Sequence, residues 1–327
     1  MIKIFSPEFL VRPPTINDLE DVQALLEVCD KAEYGVPDIT LGDLRTLWQG
    51  PNFHMSTDAW MVIAPGDRLI GYADVEHREH VRVYTFVRVL PEYAGQGVEE
   101  YLLQLAEEWA LRQIALAKTA VRVTLNSWTS NLNDDAQRSF ERAGFKQVRR
   151  HWRMEIAMSA SPLAPVWPER VVVRTFIPGQ DDRIVFHAVD EAFQDHWGHM
   201  KGNFDEWKHW TIERENFDPS LWSLAFEGEE IAGASLCTYQ IDDGWVDTLA
   251  VRRPWRRKGL GMALLLHSFG EFYRRGKYKV GLGVDSQNLT GATRLYERAG
   301  MHVARIYISY EKELRAGIEL STQVIPI

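Results

Sequence analysis

The 327-residue sequence predicts an α/β (α+β) protein built from two tandem copies of one domain, each a mixed central sheet with helices on both faces. Three observations carry this. Sliding the chain against itself by 162 residues aligns Arg12 with Arg174, Trp48 with Trp210, Trp60 with Trp222, Gly66 with Gly228, Gly71 with Gly233, Val89 with Val251 and Gly97 with Gly259. Past that point the offset falls to 156, where Glu141–Gly144 matches Glu297–Gly300. Tryptophans and turn glycines held in register argue for duplication of a domain of roughly 150 residues, a period too long for a solenoid. Between the copies, Ala157–Pro168 breaks both periodicities with three prolines. The expected division is therefore 1–158, a linker at 159–168, and 169–327.

The second copy shows the pattern element by element. Val171–Arg174 reads as a strand and Asp181–Phe193 as a helix. Leu221–Phe226 and Ile231–Tyr239 form a hairpin around Glu227-Gly228-Glu229-Glu230. Trp245–Val251 is the central strand, 261–275 a helix, Lys279–Val284 a strand, 288–299 the last helix closed by Gly300, and Val303–Lys312 the final strand. The end Val324-Ile325-Pro326-Ile327 has the composition of an added edge strand.

Composition narrows the function. No run approaches the roughly 18 apolar residues of a membrane span, and Met1–Pro7 lacks the apolar core of a signal peptide. Cys29 and Cys237 fall in different halves and in apolar surroundings, which predicts buried free thiols in a reducing, cytoplasmic compartment. A formal charge of −9 repels phosphate backbones, argues against a nucleic-acid partner and favours a cationic or amine acceptor.

Chemistry concentrates between Val246 and Leu266. A strand delivers Arg256-Arg257-Lys258-Gly259-Leu260-Gly261-Met262 to a helix start, where free N–H groups, the positive helix end and cationic side chains meet. Three cations there oppose the helix dipole unless an anion compensates, so the loop reads as a pyrophosphate cradle. A dinucleotide fingerprint fails because Leu264 stands where its third glycine belongs, and a Walker loop fails because the lysine precedes the glycine. Downstream, Asn288 is either a helix cap or a cofactor contact, and Ala292, Leu295 and Tyr296 share a helical stripe. Tyr296, with an ordinary phenol pKa of about 10, is a candidate acid for a departing thiolate. Asp247, an acid within the central strand, and His196, in Asp195-His196-Trp197-Gly198-His199, are candidate bases, each through water. His196 and His199 lack further ligands at metal spacing, so no metal is expected.

These residues resemble the GCN5-related N-acetyltransferase (GNAT) family. Its signature is Gln or Arg, two residues, Gly, one residue, then Gly or Ala, and Arg256-x-x-Gly259-x-Gly261 fits it; Asn288…Ala292…Leu295-Tyr296-Glu297-Arg298-Ala299-Gly300 resembles its second hallmark. The resemblance covers most of 169–312. It implies two GNAT-like domains, acetyl-CoA as donor, direct attack by an amine, Tyr296 as general acid, and carbonyl polarisation by an amide near Leu249 or Ala250, with Val251 beside the cofactor. The first copy resembles the same fold but carries Ala94 for the motif arginine, Glu99 for the second glycine and Phe140 for the tyrosine. One carboxylate about 4 Å from a phosphate charge costs on the order of 4 kcal/mol at an effective dielectric of about 20. Glu99 also suits a helix N-terminus and is expected to fill the anion site itself, leaving a structural or substrate-shaping domain. A duplicated chain with one worn copy is similar to the mycothiol synthases, which acetylate a cysteinyl amine on an aminosugar-inositol; the acid that family carries on its central strand falls on Trp245 here. The expected acceptor is a primary amine of a small molecule. An acyl-CoA-sensing module and a peptide N-acetyltransferase are the rivals, and the oligomeric state is left open.

Overall fold

A computed structural model describes residues 8–288 and 291–323, so Met1–Pro7 and the end 324–327, with the edge strand expected there, lie outside the described residues. The elements in chain order are β1 Leu10–Arg12, α1 Leu19–Tyr34, α2 Leu41–Trp48, α3 Met55–Asp58, β2 Ala59–Ala64, β3 Arg68–Arg78, β4 Arg82–Val89, α4 Val98–Gln113, β5 Val123–Ser130, α5 Asp134–Arg142 and β6 Lys146–Ala157. There follow β7 Val171–Thr175, α6 Asp182–Phe193, α7 Phe204–Thr211, β8 Ser223–Glu227, β9 Glu230–Gln240, β10 Asp243–Val251, α8 Leu260–Arg274, β11 Lys279–Asp285, α9 Ala292–Arg298 and β12 His302–Arg315. Helix α7 is absent from the sequence reading. Its polar first turn, capped by Asn203 accepting from the Asp205 and Glu206 amides, masks a short apolar stripe.

The repeat divides the chain linearly at 158 and 169, but the compact units are drawn differently. Residues 1–150 with 307–320 form one, and 151–306 with 321–327 the other. The first orders its strands β1-β2-β3-β4-β5-β12, antiparallel except for β4 beside β5. The second is ordered β7-β8-β9-β10-β11-β6, antiparallel except for β10 beside β11. Each unit thus closes its sheet with a strand from the other copy: Met154 of β6 lies opposite Leu282 of β11, and Tyr310 of β12 lies opposite Ser127 of β5.

Helices cover both faces of each sheet, α1 and α4 on β3 and β4, α6 and α8 on β9 and β10. The repeated landmarks are the residues that this architecture constrains. Arg12 Nη1 bonds Asp18 Oδ2 at 2.8 Å and Arg174 Nη1 bonds Asp181 Oδ2 at 2.6 Å, each tying a first strand to the helix that follows it. Gly97 and Gly259 begin α4 and α8 at φ +94° and +87°, a left-handed geometry that glycine adopts without a Cβ clash. Cys29 and Cys237 are both free and buried.

Gly281 lies opposite Trp245 across β10 and β11, where an added Cβ would stand 2.6 Å from the indole. Gly281→Ala is therefore expected to destabilise the second unit by about 1–3 kcal/mol through overpacking, read as a lower denaturant midpoint with an unchanged m-value.

Candidate active site

β10 and β11 pair at Gly244 with Val280, Trp245 with Gly281 and Val246 with Leu282, and no further. Both strands continue, to Val251 and Asp285, so a wedge opens between their C-terminal ends. At the same point β10 bulges. Its register against β9 shifts between Val246, opposite Cys237, and Thr248, opposite Leu236, with Asp247 as the extra residue. Beyond the bulge the Arg252 N–H donates to Ala232 O at 3.0 Å. Antiparallel pairs alternate, so the amides of Thr248 and Ala250 face β9 while those of Leu249 and Val251 face the wedge. Of the two amides left open by the sequence, Leu249 points into the wedge and Ala250 does not.

Below the wedge lies the expected cradle. No side chain caps α8, so the first-turn amides at Leu260, Gly261 and Met262 keep their anion-binding direction. Gly261 lets this end of α8 approach α9, because a Cβ there would lie 3.2 Å from Leu295 Cδ1 and 3.6 Å from Val251 Cγ2. Arg257 holds φ +60°, a strained conformation for a residue with a side chain, and it and Lys258 are exposed. Arg256 behaves differently from its neighbours. Its Nε donates to Val251 O at 3.1 Å, Nη1 to Asp195 Oδ2 at 2.9 Å and Nη2 to Ala192 O at 2.8 Å. The guanidinium thus braces the loop against the end of α6, and the cationic side chains left facing solvent are those of Arg257 and Lys258.

α9 begins at Ala292 with Gly291 in the cap position, so Asn288 is not its cap; the Asn288 N–H donates to Asp285 O at 3.0 Å. Tyr296 is 8% exposed in the core of the second unit, and burial pushes its phenol up to about 12. Among the described residues no hydrogen bond engages its hydroxyl.

The two candidate bases stand in unlike surroundings. Asp247 is ion-paired to Arg214 at 2.9 Å. His196 is largely buried against Phe193, ring centres 4.3 Å apart. Burial first, then the nearby Arg256, lowers its pKa, so the imidazole is neutral at pH 7. Its loop is fastened at both ends. Asp195 accepts from Arg253 Nε at 3.0 Å as well as from Arg256, and the Arg253 contact leads in drawing its carboxyl down to about 2. On the other side the chain end crosses the loop: Gly198 N–H donates to Thr322 O at 2.7 Å, Thr322 N–H to His199 O at 3.0 Å, Thr322 Oγ1 to Gln194 O at 2.9 Å, and Trp197 Nε1 to Gln323 Oε1 at 3.0 Å. Asp195, Arg253, Thr322 and Gln323 were not assigned these roles by the sequence reading, since each acts on a residue far away in the chain.

The first unit builds the same backbone with other chemistry. β4 pairs with β3 without a register shift, so it lacks the bulge. Glu99, 7% exposed in the first turn of α4, is buried at the start of its own helix, and that burial raises its carboxyl to about 7. Phe140, whose ring carries no hydroxyl, stacks on Tyr310 at 5.0 Å in the core.

The model of the acetyltransferase (GNAT) family matches residues 20–145 and again 185–301. A mycothiol acetyltransferase of Streptomyces scabiei is 29% identical over 78% of this chain and 78% of its own, and one of Thermobispora bispora is 28% identical over 91% and 97%. Among solved structures, a GCN5-related N-acetyltransferase from Sphaerobacter thermophilus shares 36% identity and a TM-score of 0.83 over 98% of this chain and all of that one. A tandem GNAT protein from the clavulanic acid biosynthesis pathway, 15% identical with a TM-score of 0.73 over 94% of this chain and 98% of that one, shares the fold.

Two outcomes test the fastening of the His196 loop. A depressed carboxyl contributes stability that is complete above its unfolded value of about 3.9 and is lost as pH falls through its folded value. Asp195→Asn should therefore lower the denaturant midpoint at pH 7 and narrow that deficit as pH drops below about 4. Thr322→Pro removes the N–H that reaches His199, and hydrogen exchange over residues 194–199 should quicken by roughly an order of magnitude; unchanged exchange would mean the crossing segment does not hold the loop.

Proposed function

Because the chain belongs to the acetyltransferase (GNAT) family and is a tandem member of the mycothiol synthase type, we propose that its second unit transfers acetyl from acetyl-CoA to a primary amine of a small molecule in the cytoplasm. The observation that carries this reading is the bulged, divergent β10 beside an uncapped α8. That pairing supplies an amide for a carbonyl and amides for a diphosphate within one unit. Acetyl-CoA would bring an activated acyl carbonyl and a thiolate leaving group. Its diphosphate fits the amides from Gly259 to Met262 with Arg257 and Lys258 alongside, and its amide arm fits the strand edge at Leu249 and Val251 and the turn at Asn288.

In this reading the Leu249 N–H polarises the acyl oxygen, and Ala292 helps to wall the wedge. The Tyr296 phenol, raised by burial, stays neutral and meets the departing sulfur as an O–H donor. An ordinary thiol titrates near 8.5, so such a phenol favours donating a hydrogen bond over releasing its proton freely. His196 is favoured over Asp247 as base. It is neutral and able to accept a proton, whereas Asp247 is already paired with Arg214. At Trp245, where the mycothiol-type acid is expected, the Arg153 guanidinium lies 4.8 Å from the indole centre. This favours a primary amine other than the mycothiol-type acceptor. In the first unit Glu99 occupies the helix start, supporting a structural or substrate-shaping role.

Release of free thiol from acetyl-CoA across a panel of small amines tests the activity, and native mass spectrometry should count one cofactor per chain. Two bound at micromolar concentration would overturn the division of labour. Tyr296→Phe should leave acetyl-CoA affinity within a few-fold while kcat drops about 10²-fold. The neutral imidazole is the active form, so kcat/KM should fall as pH drops below an inflection under about 6.5. His196→Gln should remove that limb, and its persistence would exclude His196 as the base.

A further inference from the structure

The first unit has its own wedge. β4 and β5 pair at Arg82 with Thr124, Val83 with Leu125 and Tyr84 with Asn126, then part. Past the parting, Phe86 of β4 and Trp128 of β5 bring their ring centres to 5.6 Å; Trp128 meets Tyr307 of β12 at 5.3 Å, and Tyr307 meets Tyr34 of α1 at 6.0 Å. All four rings are half-buried. At their foot lies Arg88, 4% exposed, its guanidinium 4.3 Å from the Phe86 centre and 4.9 Å from that of Trp128.

Arg88 is poorly satisfied. Nη1 donates to Val87 O at 3.0 Å, Nε is buried without an acceptor, and among the described residues no carboxylate forms an ion pair with it. A guanidinium offers five donors, and burying one on a single acceptor leaves most of its lost hydration uncompensated. The acids nearby do not serve. Asp74, on the neighbouring β3 and 4% exposed, is pushed up to about 8 by burial and then by Glu76, so it is mostly protonated at neutral pH, and its Oδ2 also lacks a partner. Asp30 is held by the amides of Asp38 at 2.8 Å and Ile39 at 3.3 Å.

With Nη1 held by Val87, the edge formed by Nε and Nη2 remains, and that fork matches the two oxygens of a carboxylate. We infer that the wedge of the first unit binds a small organic carboxylate with a planar, aromatic body, its oxygens on the Nε and Nη2 edge of Arg88 and its body among Phe86, Trp128 and Tyr307. The site is separate from the acetyl-transfer site proposed for the second unit, and neither depends on the other.

Benzoate is the probe, titrated into the full chain with tryptophan fluorescence and saturation-transfer NMR as readouts, with benzylamine and inorganic phosphate as comparisons. Saturable benzoate binding with a Kd on the order of 1 mM or tighter is expected, weakened at least roughly tenfold in Arg88→Met and several-fold in Trp128→Leu. Should Arg88→Met fail to fold, Arg88→Lys, which keeps the charge but loses the planar fork, reads the same contact together with Trp128→Leu. Absence of saturation up to about 10 mM, preference for benzylamine or phosphate, or benzoate affinity untouched by the Arg88 substitution that folds would each overturn the inference.

Discussion

Parallel strands β10 and β11 hold each other for three residue pairs and then separate, and the geometry of the second unit's site follows from that separation. A continuous sheet would bury the strand edge in hydrogen bonds and leave nothing for a ligand. Here the bulge at Asp247 re-aims β10 at the point of parting, so the Leu249 and Val251 amides face a gap rather than a neighbouring strand. The same separation admits α9, whose Leu295 rests on Gly261 and whose Tyr296 sits in the core beside it.

Charge is arranged around this gap by one carboxylate. Asp195 takes Arg253 and Arg256 together, which removes two guanidinium groups from the mouth of α8 and uses them to bind the loop after α6 to the loop before α8. The proposed base, His196, is the next residue. Its position is thus linked through one side chain to the proposed cofactor cradle, and through the amides of Gly198 and the carbonyl of His199 to the chain end. A helix start that seems overloaded with positive charge in sequence is balanced in space.

The two copies show how little backbone change separates two chemistries. Both begin a helix with a left-handed glycine and both part their parallel strands after three pairs. One carries a bulge, two exposed cations and a buried phenol; the other carries an unbroken register, a carboxylate seated on its own helix start and a phenylalanine. Buried polar groups are expensive to keep without partners, which is why Arg88 and Asp74 stand out in the copy whose helix start has been filled.

By itself the sequence determined the duplication, the strands and helices of the second copy other than α7, and the glycine-bearing turn at Gly259. These are local properties: a period of two or near 3.6, and positions where only glycine fits, are written in neighbouring residues. Tertiary structure alone decided the rest. Strand exchange between the copies was hidden because β6 and β12 have the same alternation whichever sheet they join. Arg256 reaches Ala192 and Asp195, more than sixty residues away, and Asp247 pairs with Arg214, contacts that the sequence around each residue does not record. Which donor meets which acceptor across such distances is set by packing, and no run of neighbouring residues records it.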